Sequence, residues 1–245
     1  MPDCEKCAGS GWIIVEREGI SGAVPCNCEV VDVAVDLEAG ANIPPHYRGS
    51  SFDNFKALND DYSFIMVKLS AYIRDFPAGL KKPGLLLIGG TGTGKTHLAV
   101  GVLRKLMAKG YQGVFFDYMN LLARIRAGWN EAANAADREA YQSCLDADVL
   151  LMDDLGSHRV SEWVEDTING IVTYRCNHDK PLIVTTNIAD PDAGFNLLQR
   201  SASGKTEYQT SLSDRIGPRA RSRLFEMCEV IKMPETGDYR LRKSR

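Results

Sequence analysis

The chain has 245 residues, which is enough for one α/β domain and a small appendage. A formal net charge of −3 excludes a global basic field that would attract nucleic acid or anionic lipid, so any nucleic-acid surface must be local. There is no apolar run of membrane-spanning length and no signal-peptide pattern, and seven cysteines, an odd number, favour the reducing cytoplasm and metal ligation over disulfides.

The N-terminal cysteines form two close pairs on either side of a glycine-rich stretch. The four candidate ligands are Cys4, Cys7, Cys26 and Cys28. This spacing favours a tetrahedral Zn²⁺ ion bound by four thiolates, although four reduced, unligated thiols are the alternative. A metal would supply the stability that so short a segment cannot obtain from a core of its own. We therefore predict a small zinc-ribbon-like module, with residues 12–15 and 23–24 as its strands.

A proline pair, Pro44 and Pro45, interrupts regular structure after this module. We place the zinc-binding module and its linker at residues 1–40 and the main domain at residues 41–245.

The main domain is predicted to begin with a connector that Phe52 and Phe55 anchor to the rest of the chain. Apolar residues then recur at helical spacing over residues 60–76, where Pro77 ends the predicted helix.

A glycine-rich stretch follows a short apolar run, residues 85–88, and precedes a predicted helix over 97–107. It fits the phosphate-loop pattern G-x-x-x-x-G-K-[ST] with the residues Gly89, Gly90, Thr91, Gly92, Thr93, Gly94, Lys95 and Thr96. Its N–H groups and the positive end of the helix would hold phosphate oxygens. Lys95 would reach the β- and γ-phosphates of ATP, and the Thr96 hydroxyl would bind Mg²⁺. The flanking strand and helix argue against a chance glycine-rich turn.

The stretch after this helix predicts a strand and two helices. We expect the strand at residues 113–117 and the helices at 119–129 and 138–147, with residues 130–137 forming a loop or a frayed helix between them.

Two adjacent acids, Asp153 and Asp154, follow the buried strand predicted at residues 149–152. A carboxylate at this position holds the Mg²⁺ shell in phosphate-loop enzymes, and Asp153 is our candidate for that role. Asp154 could then act as general base toward the attacking water. The alternative is a pair of helix-capping acids, but the phosphate loop favours the metal, because one metal needs both parts.

A further strand is predicted over residues 181–187, after a predicted helix over 161–177; it is apolar and β-branched and ends in polar residues, the last of which is Asn187. Asn187 could hydrogen-bond the attacking water or the γ-phosphate. Asn is also common at the start of loops, so a simple turn is the alternative.

The stretch between residues 213 and 224 carries arginine at alternate positions and precedes a last predicted strand over 229–233. One interpretation is a solvated basic face or a DNA-binding edge. The other is an arginine finger, a guanidinium delivered to the γ-phosphate of a neighbouring subunit.

The order of these motifs resembles that of the AAA+ ATPases. Residues 43–48 with 51–55, and residues 222–228 with 237–240, resemble the DnaC/DnaI helicase-loader and IstB group. The resemblance covers about residues 43–242 by motif order. It implies a three-layer α/β P-loop NTPase fold with a parallel central sheet and no separate C-terminal lid.

The resemblance also implies roles for single residues. Lys95 and Thr96 match the Walker A residues, Asp153 matches the Walker B metal residue, and Asn187 matches sensor 1. Arg223 matches the arginine finger, with Arg219, one helical turn earlier, as its nearest alternative. Asp154 falls where many relatives have Glu, and the shorter side chain leaves its efficiency as a base open.

In helicase loaders, an inserted helix after the second strand helps to bind single-stranded DNA, and residues 119–147 correspond to it here. Arg124 and Arg126 would suit phosphate neutralisation, and Trp129 would suit base stacking, although Trp129 could equally belong to the core. The resemblance implies that the N-terminal module engages the replicative helicase and that the protein self-associates through its finger.

Three functions remain open at this point. The first is an ATP-dependent loader that delivers a hexameric replicative helicase onto single-stranded DNA. The second is an IstB-like transposition helper, an ATPase that binds target DNA. The third is a nucleotide-gated adaptor with little hydrolysis. The cysteine-rich module favours the loader.

Overall fold

A computed structural model of the protein describes residues 12–17, 20–25, 40–57, 59–128, 135–158, 161–200, 206–235 and 237–239. The predicted zinc ligands Cys4, Cys7, Cys26 and Cys28 lie outside these residues. Within the described ranges, no helix has both the length and the apolar character needed to cross a membrane. The same ranges contain no group of three or more His, Cys, Asp or Glu residues that could hold a metal ion.

Nine strands are present in the described residues, in three sheets. They are β1 (Trp12–Arg17), β2 (Ile20–Pro25), β3 (Gly84–Ile88), β4 (Gly113–Asp117), β5 (Val149–Asp153), β6 (Leu182–Thr186), β7 (Leu198–Arg200), β8 (Thr206–Tyr208) and β9 (Cys228–Lys232). The central sheet has the order β4-β5-β6-β3-β9, and every neighbouring pair in it is parallel. The predicted parallel central sheet is therefore confirmed. β1 pairs with β2, and β7 pairs with β8, in separate antiparallel hairpins.

Seven α-helices accompany these strands in the described part of the chain. They are α1 (Asp60–Asp75), α2 (Lys95–Met107), α3 (Tyr118–Gly128), α4 (Ala135–Asp146), α5 (Glu162–Asn177), α6 (Leu212–Ile216) and α7 (Pro218–Met227). Side-chain caps fix several of their starts. The Asn59 side chain accepts a hydrogen bond from the backbone of α1, and Ser161 does the same for α5.

The central sheet is covered on both faces, because its side chains alternate between two apolar clusters. In β3, Leu86 packs with α3 to α7 on one face, whereas Leu85 and Leu87 pack with α1 and α2 on the other. In β5, Leu150 and Leu151 divide in the same way. This arrangement makes the three-layer α/β fold that was expected. It also places the carboxyl ends of the parallel strands together at one edge of the sheet.

Most predicted elements are present within one or two residues of their expected bounds. The last part of residues 130–137 is helical, the second of the two alternatives, because α4 already begins at Ala135. The hairpin of β7 and β8 was not predicted, since its strands have only three residues each. Phe52 and Phe55 anchor the connector as expected. The Phe52 ring packs against Gly101 of α2, and the Phe55 ring packs against Gly94.

Candidate functional site

Three neighbouring strand ends bring the predicted site residues together. β6 lies between β3 and β5 in the sheet, with Ile88 opposite Thr186 and Met152 opposite Val184. The phosphate loop leaves β3, the paired acids end β5, and Asn187 follows β6. Because all three strands are parallel, these groups lie at one edge. The N–H of Gly89 donates a hydrogen bond to Thr186 O over 3.2 Å, which ties the loop to β6.

Glycine is required in the phosphate loop at two positions where the backbone turns left-handed. Gly92 has φ +74° and Gly94 has φ +88°, a region that residues with a Cβ rarely adopt. Space is also limited, because a Cβ at Gly94 would lie 2.6 Å from the Phe55 ring. Gly94 is the N-cap residue of α2, so the positive end of that helix lies at the loop. The loop therefore has the form that anion binding requires.

Lys95 lies within the loop and is only 8% exposed. Its ammonium group donates hydrogen bonds to Gly89 O at 2.9 Å and to Gly90 O at 2.8 Å. The Thr93 hydroxyl donates to Gly90 O at 2.9 Å, and the Tyr62 hydroxyl of α1 donates to Thr93 O at 3.1 Å. These bonds hold the loop and its cation in one shape before any anion is bound.

Residues that follow β9 pack against the phosphate loop. Met233 packs so closely on Gly89 that an added Cβ would lie 2.7 Å from the Met233 side chain. The N–H of Tyr239 donates to Gly92 O at 3.2 Å, and Asp238 occupies the space that a Cβ at Gly92 would need. The small size of these two glycines therefore admits the segment that follows β9.

Asp153 ends β5 as a buried carboxylate that is 8% exposed. Thr96 of the phosphate loop hydrogen-bonds it, so the two predicted Mg²⁺ ligands are neighbours. The Thr185 hydroxyl of β6 donates a second bond to its Oδ1 at 2.5 Å. Burial raises the pKa of the Asp153 carboxyl, while the hydrogen bonds from Thr185 and Thr96 act in the opposite direction.

Asp154 has a backbone conformation that is unusual for a residue with a side chain. Its φ is +57°, in the left-handed region, and such strain often accompanies functional sites. Its N–H donates to the Thr185 hydroxyl over 2.9 Å, and its carbonyl accepts from Ser157 N at 3.2 Å. The side chain is partly exposed, beside the buried Asp153. These bonds hold Asp154 where it can meet water at the edge of the sheet.

Thr185 is the site residue that our sequence argument missed. One hydroxyl group serves both acids, because it donates to Asp153 and accepts from the N–H of Asp154. The only signal in the sequence was that two polar residues, Thr185 and Thr186, end an otherwise apolar strand before Asn187. Thr is common in strands for its shape alone, so that signal was ambiguous.

The residues present fit a magnesium–nucleotide pair. Mg²⁺ in such sites takes one or two protein oxygens and completes its shell with water and phosphate oxygens. The neighbouring Thr96 hydroxyl and Asp153 carboxylate supply that number. Lys95 and the helix end supply positive charge for the phosphates.

The remaining predicted residues lie around this edge. Asn187 is exposed and, by register, follows β6 at the level where Gly89 follows β3. Arg219 is exposed on α7. Arg223, one turn later, bonds Glu226 of its own helix at 2.7 Å and keeps 42% of its side chain exposed.

The candidate DNA-binding arginines lie on α3, the helix that directly follows β4. The Arg124 guanidinium lies over the Phe116 ring, and the Arg126 guanidinium lies over the Trp163 ring, each 5.6 Å from the ring centroid. Arg126 is exposed and Arg124 is partly exposed. Trp129 lies outside the described residues.

Comparison with known proteins gives a consistent assignment. The family model described as IstB-like ATP binding protein matches residues 71–202, which include the loop, both acids and Asn187. The chain is 25% identical over 207 residues to the phage-like element PBSX protein XkdC of Bacillus subtilis (strain 168), and the match covers 76% of this chain and 72% of XkdC.

Helicase loaders are among the similar proteins. The chain is 21% identical over 147 residues to the replicative helicase loader DnaC of Escherichia coli (strain K12), covering 60% of this chain and 59% of that protein. A crystal structure of the DnaC helicase loader has a TM-score of 0.63 and 31% identity to this chain. That match covers 78% of this chain and 100% of the other.

We expect Thr185→Val to weaken Mg²⁺-dependent nucleotide binding. The change removes the donor to Asp153 and the acceptor for Asp154 N without changing the side-chain shape. Loss of such an outer-shell partner costs about tenfold or more in metal affinity. A Mg²⁺ titration of binding of a fluorescent ATP analogue measures the effect. Thr185→Ser keeps the hydroxyl and should restore binding; equal Mg²⁺ dependence in all three proteins would contradict the role.

We expect Asp153→Asn to stabilise the nucleotide-free protein at neutral pH. Because burial raises the pKa of Asp153, the folded state retains this proton to a higher pH than the unfolded state. The free energy of unfolding therefore falls as pH rises from the unfolded pKa to the folded one. Asn keeps the acceptor oxygen and removes that dependence. Urea unfolding across a pH series measures it, with the exposed acid variant Glu139→Gln as control. A variant less stable than the wild type at neutral pH would refute this expectation.

Proposed function

Because the chain belongs to the family of IstB-like ATP-binding proteins, we propose that it is a cytoplasmic, ATP-dependent helicase loader of DNA replication. It binds ATP with Mg²⁺ and delivers a hexameric replicative helicase onto single-stranded DNA. The observation that carries this proposal is the 31% identity to the DnaC helicase loader, which extends over the whole of that chain. The homology to DnaC and IstB-like proteins supports a role in helicase loading.

The site geometry supports ATP hydrolysis at the edge of the sheet. The phosphate loop and Lys95 would hold the β- and γ-phosphates of ATP, and Thr96 and Asp153 would hold Mg²⁺. A bound Mg²⁺ ion would neutralise charge on the phosphate oxygens. Asp154 takes a proton from water as the water oxygen bonds to the γ-phosphorus and the bond to the bridging oxygen breaks, giving ADP and phosphate. Asn187 orients that water.

The finger of one subunit completes the site of another. Arg223 bonds the exposed Glu226 carboxylate and the partly buried Cys176 side chain in its own chain, and an ion pair as exposed as that with Glu226 contributes little stability. It can therefore leave Glu226 at small cost and reach a neighbour's γ-phosphate. A guanidinium is suited to this role, because it stays charged and bonds phosphate oxygens through two N–H groups. Hydrolysis then depends on assembly.

The N-terminal residues supply the contact with the helicase in this proposal. Cys4, Cys7, Cys26 and Cys28 bind one Zn²⁺ ion, which holds residues 1–40 as a module separate from the ATPase domain. The antiparallel pairing of β1 and β2 between the two cysteine pairs supports a ribbon of this kind. Single-stranded DNA contacts the exposed side of α3, where Arg126 is available to phosphates.

A second candidate function is an IstB-like transposition helper that binds target DNA, and the family match favours it. The ATPase site serves both functions equally. The partner of residues 1–40 distinguishes them.

We expect Lys95→Ala to abolish ATP binding and Arg223→Ala to spare it. Arg223→Ala should lower the assembly-dependent kcat by about a thousandfold or more, the usual contribution of an arginine finger. Equilibrium binding of labelled ATP and phosphate release per subunit measure the two effects. Arg219→Ala is the matched control and should keep the activity of the wild type. If Arg219→Ala loses activity and Arg223→Ala does not, Arg219 is the arginine finger. A wild type that binds ATP without hydrolysing it in any assembly would indicate the nucleotide-gated adaptor.

We expect the intact N-terminus to capture the replicative helicase in the presence of ATP. The wild type, a chain lacking residues 1–40 and the variant Cys4→Ser/Cys7→Ser are compared in pull-downs from host lysate, each with its zinc content measured. The wild type should carry one Zn²⁺ per chain, as four ligands predict, and should be the only one to retain the helicase. Recovery of a transposase instead would support the second candidate. A wild type without zinc would refute the module.

A further inference from the structure

Three arginines of α7 occur at alternate positions but point in different directions. Arg219 and Arg223 are four residues apart, so they lie on one side of the helix. Arg221 is two residues from each and therefore lies on the other side. Arg219 is exposed, and Arg223 is 42% exposed and bonds the exposed Glu226 and the partly buried Cys176, whereas Arg221 holds the fully buried Asp190. Only two of the three are thus available to another subunit.

Arg221 is fixed by a forked ion pair. Its Nε donates to Asp190 Oδ2 at 2.8 Å, and its Nη2 donates to Asp190 Oδ1 at 2.6 Å. The same Nη2 reaches Asp192 Oδ2 at 2.5 Å. Asp190 has 0% exposure, and the Phe225 ring lies 4.3 Å from the guanidinium carbon. A two-pronged bond to a buried partner fixes direction as well as distance.

Asp190 belongs to the segment that leaves the catalytic edge. It lies three residues after Asn187, and it caps the 3₁₀ turn Pro191–Ala193 by accepting a bond from Asp192 N at 3.0 Å. A second link joins this segment to the preceding helix, because Leu212 N of α6 donates to Ala189 O at 3.0 Å. The finger helix is therefore attached to the segment that begins with Asn187.

Hydrogen bonds continue from this segment to the acids. Ile188 N donates to the Thr186 hydroxyl at 3.1 Å, and that hydroxyl donates to Leu155 O at 2.8 Å. Leu155 directly follows the catalytic pair, and its own N–H donates to Thr185 O at 2.9 Å. An unbroken series of bonds thus connects the acids of one subunit to its own α7.

We propose that Arg221 is a positioning residue, which through Asp190 fixes the direction in which α7 presents Arg223 to the neighbouring subunit. The proposal rests on the finger role given to Arg223 under the proposed function. In each subunit, the segment that begins with Asn187 is then rigidly connected to the arginine that the subunit donates to its neighbour. Arg221 itself touches no nucleotide.

The geometry supplies three informative variants. Arg221→Lys keeps the charge but cannot form the fork to both oxygens of Asp190. Asp190→Asn keeps the shape of the buried partner and removes its charge. Asp192→Asn is the matched control, because Asp192 is 67% exposed and leaves the fork to Asp190 intact.

A mixing experiment separates the donor of the finger from its acceptor. Asp154→Asn is an inactive donor with an intact finger, and Arg223→Ala is an acceptor with an intact site. Each alone should be nearly inactive, and an equal mixture should hydrolyse ATP.

Arg221→Lys or Asp190→Asn added to the donor should lower the rate of the mixture by about tenfold or more, since a small misplacement can cost up to about a hundredfold. Arg221→Lys added to the acceptor should leave the rate within about twofold, because its own finger is already absent.

The outcomes distinguish a failure of the positioning role of Arg221 from a failure of the finger role of Arg223. If the two single variants do not complement, or if either is fully active alone, the shared site is wrong and this proposal falls with it. If they complement and Arg221→Lys acts equally in donor and acceptor, or has no effect in the donor, the positioning role alone is overturned. Loss of activity with Asp192→Asn in the donor would also contradict it.

A measurement without nucleotide provides a second readout. Amide hydrogen exchange of the isolated subunit should become faster in α7 with Arg221→Lys and stay unchanged in α2, since only α7 loses an attachment. Equal ATP affinity of wild type and variant should accompany that result. Unchanged exchange in α7 would show that the ion pair does not fix the helix.

Discussion

The parallel pairing of β3, β6 and β5 is the constraint on which the site depends. Side-by-side parallel strands end at the same edge, so three segments far apart in the sequence bring their first polar residues together there. The register decides which residues meet at that edge, since Ile88 lies opposite Thr186 and Met152 lies opposite Val184. Leu86 and Leu87 belong to opposite clusters, so β3 is buried on both faces. The fold therefore determines the position of the loop relative to the acids.

The negative charges of Asp153 and Asp154 at this edge lower the stability of the folded protein. A buried carboxylate is desolvated, and Asp153 is further disfavoured by its acidic neighbours Asp154 and Asp117. Thr185 offsets part of this cost with one hydroxyl that bonds both members of the pair. The left-handed backbone at Asp154 adds strain of the kind found at functional sites. A bound Mg²⁺ ion would offset this negative charge, so the two acids favour a cation beside them electrostatically.

Much of this arrangement could be predicted from the sequence, because the sheet is buried on both faces. Buried parallel strands appear as short continuous apolar runs, and the runs before Gly89, Asp153 and Asn187 were recognised for that reason. The phosphate loop is equally plain, since left-handed turns at Gly92 and Gly94 demand glycine. These signals are local. They need no knowledge of which strands are neighbours.

Features that depend on contacts between distant segments could not be found in this way. Thr185 differs from its strand neighbours only through what lies beside it in the sheet, and the sequence does not state strand order. The hairpin of β7 and β8 is too short to show a period. The start of α4 at Ala135 could not be assigned from the sequence, because alanine and asparagine together give no apolar repeat that separates a helix from a loop.

The arginines of α7 show most clearly why an arginine-rich stretch cannot be assigned by density alone. Alternate spacing suggested one basic face, yet a helix places every second residue on nearly opposite sides. Asp190 and Asp192 bind the middle arginine from within the chain, while Arg219 and Arg223 remain on the outer side. Arginine therefore has two roles within one helix. Arg221 attaches α7 to its own chain, whereas Arg219 and Arg223 can contact another subunit. An arginine held on a buried carboxylate is costly to release, whereas one on an exposed carboxylate is not. Burial of the partner, which the sequence does not reveal, decides which arginine can reach a neighbour.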